Sequence, residues 1–406
     1  MNPPPSPERN HALDALRASA LLLGVLLHAA LAYLPGPGNG WAVQDRSTHP
    51  LFGVLVLVVH SFRLGVFFLL AGYFGHLLHR RLGPGGFVGN RLIRILAPFA
   101  AGWLLVYPLL ASAWIWGAMQ GAPDLASKAL VLGYATAFKQ LAGLAGVGGW
   151  EAGFPLSHLW FLYYLLLVYG LFLGIRFLAF RVGLGGDRWK VRADAVTSFL
   201  FGGPWGWFGL VAVTALLLTG MTRGGIDTPD KTFVPHLPAL LLYSFTFTLG
   251  WLLFRQTELL DGFRRRWGFS LGIALLAVLP VLALAEYQGR GAHPTGRLAY
   301  QFAYALMMWS WILACLGLSL RFCTRASALW RYLADSSYWV YIIHLPVVVT
   351  LQVALSRSPL PGGVKFAIIT AVATIVSLAS YHLLVRSTPI GLLLNGRRHP
   401  FLPRSG

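Results

Sequence analysis

Apolar residues in this chain come in runs of about twenty, without the polar stripe that a helix with one wet face keeps every three or four positions. The first run, NHALDALRASALLLGVLLHAALAYLP, extends from Asn10 to Pro35. A hydrocarbon core needs about 20 residues at ~1.5 Å rise each, so this run can span one. Ten such runs are expected, at roughly 12–34, 51–78, 91–117, 158–180, 207–222, 236–254, 267–286, 299–321, 337–356 and 364–385. Glycine- and proline-rich segments such as LPGPGNG at 34–40 and LGPGG at 82–86 punctuate them. The pattern predicts an all-α, polytopic integral membrane protein. It has a short tail at 1–10, a transmembrane body at 11–386 and a second tail at 387–406, with no internal repeat and no appended soluble domain.

Composition agrees with the pattern. Only 11% of residues are charged and 56% are hydrophobic, against about 25% charged in soluble domains. The formal charge of +19 could suggest nucleic acid, but the positions of the charges argue against it. With the N-terminus inside, 21 of the 32 Lys and Arg fall in cytoplasmic segments and 9 in the opposite ones, while Arg63 and Arg176 lie within spans. That asymmetry predicts both termini inside and an even number of spans. The start, MNPPPSPERNH, lacks a basic leader region, so no cleavable signal is expected. Cys315 and Cys323 fall on one predicted helix about 12 Å apart, too far for a disulfide.

The exceptions to the apolar pattern carry the candidate chemistry. Arg17 and His28 are eleven residues apart in the first span, which at roughly 100° per residue puts them on one face, about 16 Å apart along the axis. Ionisable groups inside a span are costly unless they face partners or a wet cavity. Asp14 can pair with Arg17. In the second span, His60 and Arg63 share a face, with Arg63 about 18 Å deep, beyond easy snorkelling. His28 and His60 lie at similar depth and are expected to meet, with Arg63 and then Arg17 beneath them. Arg91 and Arg94, one turn apart at the entrance of the third span, serve either as positive-inside anchors or as a bidentate phosphate cradle. The long segment 118–157 contains Glu151 and leads into PLSHLWFLYYLLLVYG, where Glu151, His158 and Trp160 suit a sugar-facing outer rim; an aromatic belt accounts equally for the Trp and Tyr residues. His344 lies in SSYWVYIIHLPVVV, about 10 Å from the inner end of the ninth span. Pro346 just after it frees a backbone carbonyl. Phosphate-loop, zinc and serine-nucleophile motifs are absent, and no metal site is expected.

Together these residues resemble the acyltransferase-3 superfamily of membrane O-acyltransferases. The resemblance rests on LDALR followed by the Arg17-x10-His28 spacing, FRLGVFFLLAGYF, NRLIRILAP, HLWFLYYLL and SYWVYIIHLP, in order across residues 10–395. LGWLLFRQTELLDGFRRRW and YHLLVRSTPIG resemble most closely the glucan biosynthesis protein C branch, which is associated with succinylating periplasmic glucans. The resemblance implies an inner-membrane enzyme moving an acetyl or succinyl group from cytosolic acyl-CoA to a hydroxyl of an extracytoplasmic carbohydrate: a glucan, lipopolysaccharide or exopolysaccharide. Catalysis would fall to His28, Arg17 and Arg63, CoA binding to Arg91 and Arg94, and substrate contact to His60, Glu151, His158, Trp160 and His344. A succinyl donor would need a cation for its distal carboxylate, for which Arg63 or His60 would serve. The esterase-like extracytoplasmic domain common in the family has no counterpart in these residues, so a relay to one is expected to need a separate protein. A proton-coupled transporter using the same cavity is the main rival, and a non-catalytic scaffold the next.

Overall fold

A computed structural model describes residues 10–36, 40–144, 153–184, 186–222 and 224–396. Among them every regular element is helical. In chain order these are α1 (His11–Ala30), α2 (Pro50–Arg91), a π-helical turn (Leu92–Leu96), α3 (Ala97–Ala118), α4 (Ala126–Leu144), α5 (Trp160–Arg181), α6 (Asp187–Gly202), α7 (Pro204–Leu218) and α8 (Leu237–Leu253). There follow α9 (Leu259–Arg265), α10 (Trp267–Leu276), α11 (Val278–Ala283), α12 (Pro294–Phe322), α13 (Ala328–Leu355), α14 (Gly362–Ser380), a second π turn (Tyr381–Val385) and α15 (Pro389–Asn395). By length and composition, 6 described stretches can cross a membrane, or up to 8 when each sharply bent pair counts as one span. The chain is an all-α, multi-pass membrane protein.

Local chemistry sets the helix ends. Asn10 Oδ1 accepts the Leu13 N–H at 3.2 Å and opens α1. His49 Nδ1 accepts the Leu51 N–H at 3.2 Å, with Pro50 in the first-turn position that tolerates it. Within α2, Gly83 adopts φ 67, a left-handed conformation that interrupts the helix, and Pro84 starts the next run. The chain therefore re-enters helix at Pro84, ahead of the expected start at 91. Arg91 and Arg94 flank and occupy the π turn instead of marking a helix entrance. A π bulge re-aims the side chains beside it, and such bulges recur at functional sites.

Other expected spans are also redrawn. The stretch expected at 207–222 is α7, joined to α6 at a 100° bend, and the one at 267–286 belongs to a pair bent by 64°. Segment 118–157, which is not among the expected spans, contains the 19-residue α4 lying along α3. The ninth expected span is α13, which begins at Ala328, so His344 is about 24 Å from its start.

Close helix contacts run through glycine. A Cβ on Gly72 would sit 2.0 Å from the Phe247 carbonyl oxygen, and one on Gly250 would sit 1.9 Å from that of Leu69. Small residues here let the α2 and α8 backbones touch, the usual way helices associate in lipid. α1 packs along α13 and α2, and these three helices with α3 and α5 surround the principal cavity.

Candidate active site

The cavity has a volume of about 1020 Å³, at the top of the range for small-molecule sites. Arg17, His28, His60, Arg63, Arg91, Arg94, His158, Trp160 and His344 all line it. Glu151 lies outside the described residues. One end holds Arg17, Arg91, Arg94 and Asn395; the other holds Trp41, Trp114, Thr228 and Lys231.

At the arginine end, Arg17 is aimed by two partners. Its Nη2 lies 3.5 Å from Asp14 Oδ1, as the first-turn spacing leads one to expect, and donates to the Ala334 carbonyl at 3.1 Å. Arg91 Nη2 donates to Asn90 Oδ1 at 2.6 Å, and its guanidinium lies over the Phe87 and Tyr169 rings, each 5.6 Å from the centroid. Tyr338 Oη donates to the Arg94 carbonyl at 2.8 Å, fixing the π turn to α13. The Nε atoms of Arg17 and Arg91 are buried with no partner. Three cations thus converge on one mouth with donor capacity left over.

Further along, Arg63 reaches from α2 across to α1. A Cβ on Gly24 would overlap Arg63 Nη1, so the guanidinium as placed lies against a glycine and would have to shift for any larger residue. Gly24 is one turn from His28 on the same face, and this contact sets the arginine beside the histidine. Arg63 Nε is buried and unpartnered.

His28 meets two rings. Trp41 stacks on it at 6.0 Å and 12°, and His344 lies 5.3 Å away, tilted by 41°. The expected partner, His60, instead bonds Thr228 Oγ1 at 3.2 Å. Trp41 comes from the glycine-rich loop after α1. Its indole N–H donates to Gln352 Oε1 at 2.8 Å, while Gln352 Nε2 donates to the carbonyls of His28 and Ala29 at 2.9 and 3.0 Å. One glutamine therefore fixes both the lid ring and the helix end that carries His28. The loop is pinned by an ion pair between Lys365 Nζ and Asp45 Oδ2 at 2.8 Å, with side chains only 2% and 3% exposed.

His158 is buried in the cavity wall, with its ring edge-on to His344 at 5.4 Å. Pro346 has no N–H for the carbonyl of Ile342 one turn earlier. That carbonyl accepts from His158 Nε2 at 2.9 Å, so the freed acceptor anticipated from the proline is spent on anchoring a histidine. Ser157 helps by adopting φ 50, a left-handed conformation uncommon outside glycine, and Tyr341 Oη donates to the His158 carbonyl at 2.7 Å. Trp41, Gln352 and Tyr341 were not picked out from the sequence; only their place beside His28 and His158 reveals them. Among the described residues no cluster suits a metal ion.

A family model described as an acyltransferase domain, the acyltransferase-3 family, matches residues 10–382. The chain belongs to that family. It is a multi-pass membrane protein whose body is an acyltransferase domain. Curated relatives include the glucans biosynthesis protein C of Escherichia coli O6:K15:H31 (strain 536 / UPEC) and that of E. coli strain K12. Each is 29% identical over 170 residues, covering 41% of this chain and 39% of the relative. The aligned region thus spans about two fifths of the relatives' length. No solved structure matches.

Proposed function

We propose that the protein transfers an acyl group, acetyl or succinyl, from cytosolic acyl-CoA to a hydroxyl of an extracytoplasmic carbohydrate, a glucan first among the candidates. The observation that carries this reading is the single cavity that joins three arginines at one mouth to an arginine and three histidines midway and an aromatic lid at the other end. With the termini inside a bacterial inner membrane, the arginine mouth faces the cytosol. Arg91 and Arg94 hold CoA phosphates there, as planar guanidinium groups do best, and Arg17 adds charge between them and the reacting centre.

CoA supplies the activated thioester. His28 takes the proton of the attacking hydroxyl as general base, a role typically worth about 10²–10⁴-fold. Arg63 stabilises the oxyanion that forms on the thioester carbonyl, in a site largely shielded from water. Trp160, His158, His344 and His60 shape the wall against which acyl group and acceptor rest, and a succinyl carboxylate would find its cation in Arg63 or His60. The names of the relatives favour glucan over other acceptors.

Proteoliposomes holding wild type or His28→Ala, given labelled acetyl-CoA or succinyl-CoA and periplasmic glucan, test this directly. Label should appear on glucan only with the wild type, and the preferred donor names the acyl group. Release of CoA with unlabelled glucan would reject the acceptor. Transfer by folded His28→Ala at the wild-type rate would reject the chemistry.

A further inference from the structure

We infer that His344 is a positioning residue that fixes the tautomer of His28, giving the acyl-transfer site a hydroxyl–His28–His344 relay with an imidazole where a carboxylate usually stands. The inference rests on His28 being the general base proposed above.

The argument begins with protons that the backbone dictates. His344 Nδ1 lies 2.8 Å from the Tyr341 carbonyl oxygen and 3.0 Å from that of Val340. Carbonyl oxygens only accept, so Nδ1 carries the proton and shares it between them. In the neutral ring Nε2 must then hold a lone pair. That atom is buried and has no partner. His158 is fixed in the opposite sense: its Nε2 donates to the Ile342 carbonyl, so its own lone pair is on Nδ1, beside Ser157 Oγ at 3.4 Å. Two of the three clustered histidines thus have their tautomers set by main-chain oxygens of α13.

His28 has no such backbone partner. Its Nδ1 is the other buried ring nitrogen in this cluster without a hydrogen bond. The His28 and His344 rings are close enough, at 5.3 Å between centroids and tilted by 41°, for their two unpartnered nitrogens to come within hydrogen-bond reach by ring rotation. Such contacts in ligand-free sites commonly tighten when substrate is bound. A lone pair on His344 Nε2 selects the proton on His28 Nδ1, which leaves the lone pair of His28 on Nε2 for the acceptor.

The proton balance closes without another reactant. The acceptor O–H bond breaks, its proton goes to His28 Nε2 and its oxygen bonds the thioester carbon. The resulting His28 imidazolium is stabilised through Nδ1–H by His344 Nε2. When the C–S bond breaks, the proton on Nε2 passes to the departing thiolate and His28 is neutral again. Arg63 gives a reason for an imidazole in this place. A carboxylate beside His28 would pair with Arg63, which is wedged against Gly24 one turn away, and would cancel the charge needed for the oxyanion. A neutral acceptor leaves that charge free.

The test is ¹⁵N NMR of histidine-labelled full-length protein in nanodiscs, with the His28 signals assigned from His28→Asn. Wild type should show His28 protonated on Nδ1, and His344→Gln, whose amide oxygen still accepts, should preserve that state. His344→Phe should shift the proton toward Nε2 and lower kcat roughly 10–100-fold with the donor KM unchanged, and His344→Gln should recover most of that loss. A wild-type His28 protonated on Nε2, or an unchanged tautomer in His344→Phe, would overturn the inference. If wild type moves no acyl group, the functional reading fails, and the tautomer measurement still decides the pairing.

Discussion

The half of the bundle built from α6 to α12 and the half built around α1, α2, α3, α5 and α13 carry similar polar side chains and treat them differently. In the first, polar groups close on one another. Arg255 grips Asp194 through Nε and Nη2 at 2.8 and 2.6 Å, and Gln256 Nε2 donates to the Asp194 carbonyl at 2.8 Å. Arg297 donates to the carbonyl of Met221 just past α7 and Gln301 to that of Leu218, its last residue, at 2.7 and 3.1 Å, and Trp309 donates to Thr214 at 2.8 Å. In the second half, closure is incomplete. Six ionisable side chains among the described residues have a buried nitrogen without a partner, and five of them, Arg17, His28, Arg63, Arg91 and His344, line the cavity; the sixth is His236. Leaving a buried donor or acceptor unmet costs about 1–3 kcal/mol. Around α6 to α12 the unmet groups are the neutral Trp207 Nε1, Ser244 Oγ and Trp311 Nε1, with His236 Nδ1 just before α8, whereas among the described residues the unmet arginines all line the cavity, where a ligand can satisfy them.

The largest effect should come from the centre of the open half. Arg63→Met removes the charge and is expected to lower kcat about 10²–10³-fold, the scale for losing an oxyanion donor. Gly24→Ala keeps the guanidinium but puts a methyl group where Nη1 lies, and should cost up to about 10²-fold, as misplacement by an ångström can. Both are read from initial rates of transfer in proteoliposomes. A Gly24→Ala protein with the wild-type rate would show that Arg63 needs no fixed position and would weaken the contrast between the halves.

At the arginine mouth the change should fall on binding. Arg91→Gln and Arg94→Gln are each expected to raise the donor KM roughly 10–100-fold, the value of a charge-assisted contact of about 1.5–3 kcal/mol, with kcat little altered. A fall in kcat at constant KM would move these residues from the donor's phosphates to the reacting centre.

Much of the open half was legible before any coordinates, because helical periodicity alone puts Arg17 and His28 on one face and the cost of a buried arginine marks Arg63. All three line the cavity. The proline at 346 announced a free carbonyl, but its destination, His158, is set by tertiary packing that no local pattern encodes. The same holds for the meeting of His28 with His344, whose helices lie at opposite ends of the chain. Trp41 sits in a glycine-rich loop with no periodicity to mark it. Lys365, one of the charges assigned to outer segments, is sealed against Asp45 of the loop after α1, a pairing that charge counting does not reveal. Helix existence was easier to foresee than helix ends: the Gly83–Pro84 break, the π turn at Leu92–Leu96 and the bends beside α7 and α10 depend on backbone geometry that a hydropathy pattern does not resolve.

The smallest expected effect lies in the closed half and tests the comparison from the other side. Asp194→Asn keeps the shape of the side chain and one accepting oxygen, while removing the charge that Arg255 grips. The two side chains are 33% and 28% exposed, so water already screens the pair and the loss should be about 1 kcal/mol or less. Gln256 donates to the main-chain oxygen of residue 194, a bond the substitution leaves intact, so α6 should stay docked. Thermal unfolding in detergent is therefore expected to begin slightly earlier, with donor KM and kcat at wild-type values. If transfer instead fell tenfold, the ion pair would be coupled to the cavity through α8, which packs along α2 by way of Gly72 and Gly250. The closed half would then take part in setting Arg63, and the division between a scaffold of paired charges and an open site would not hold.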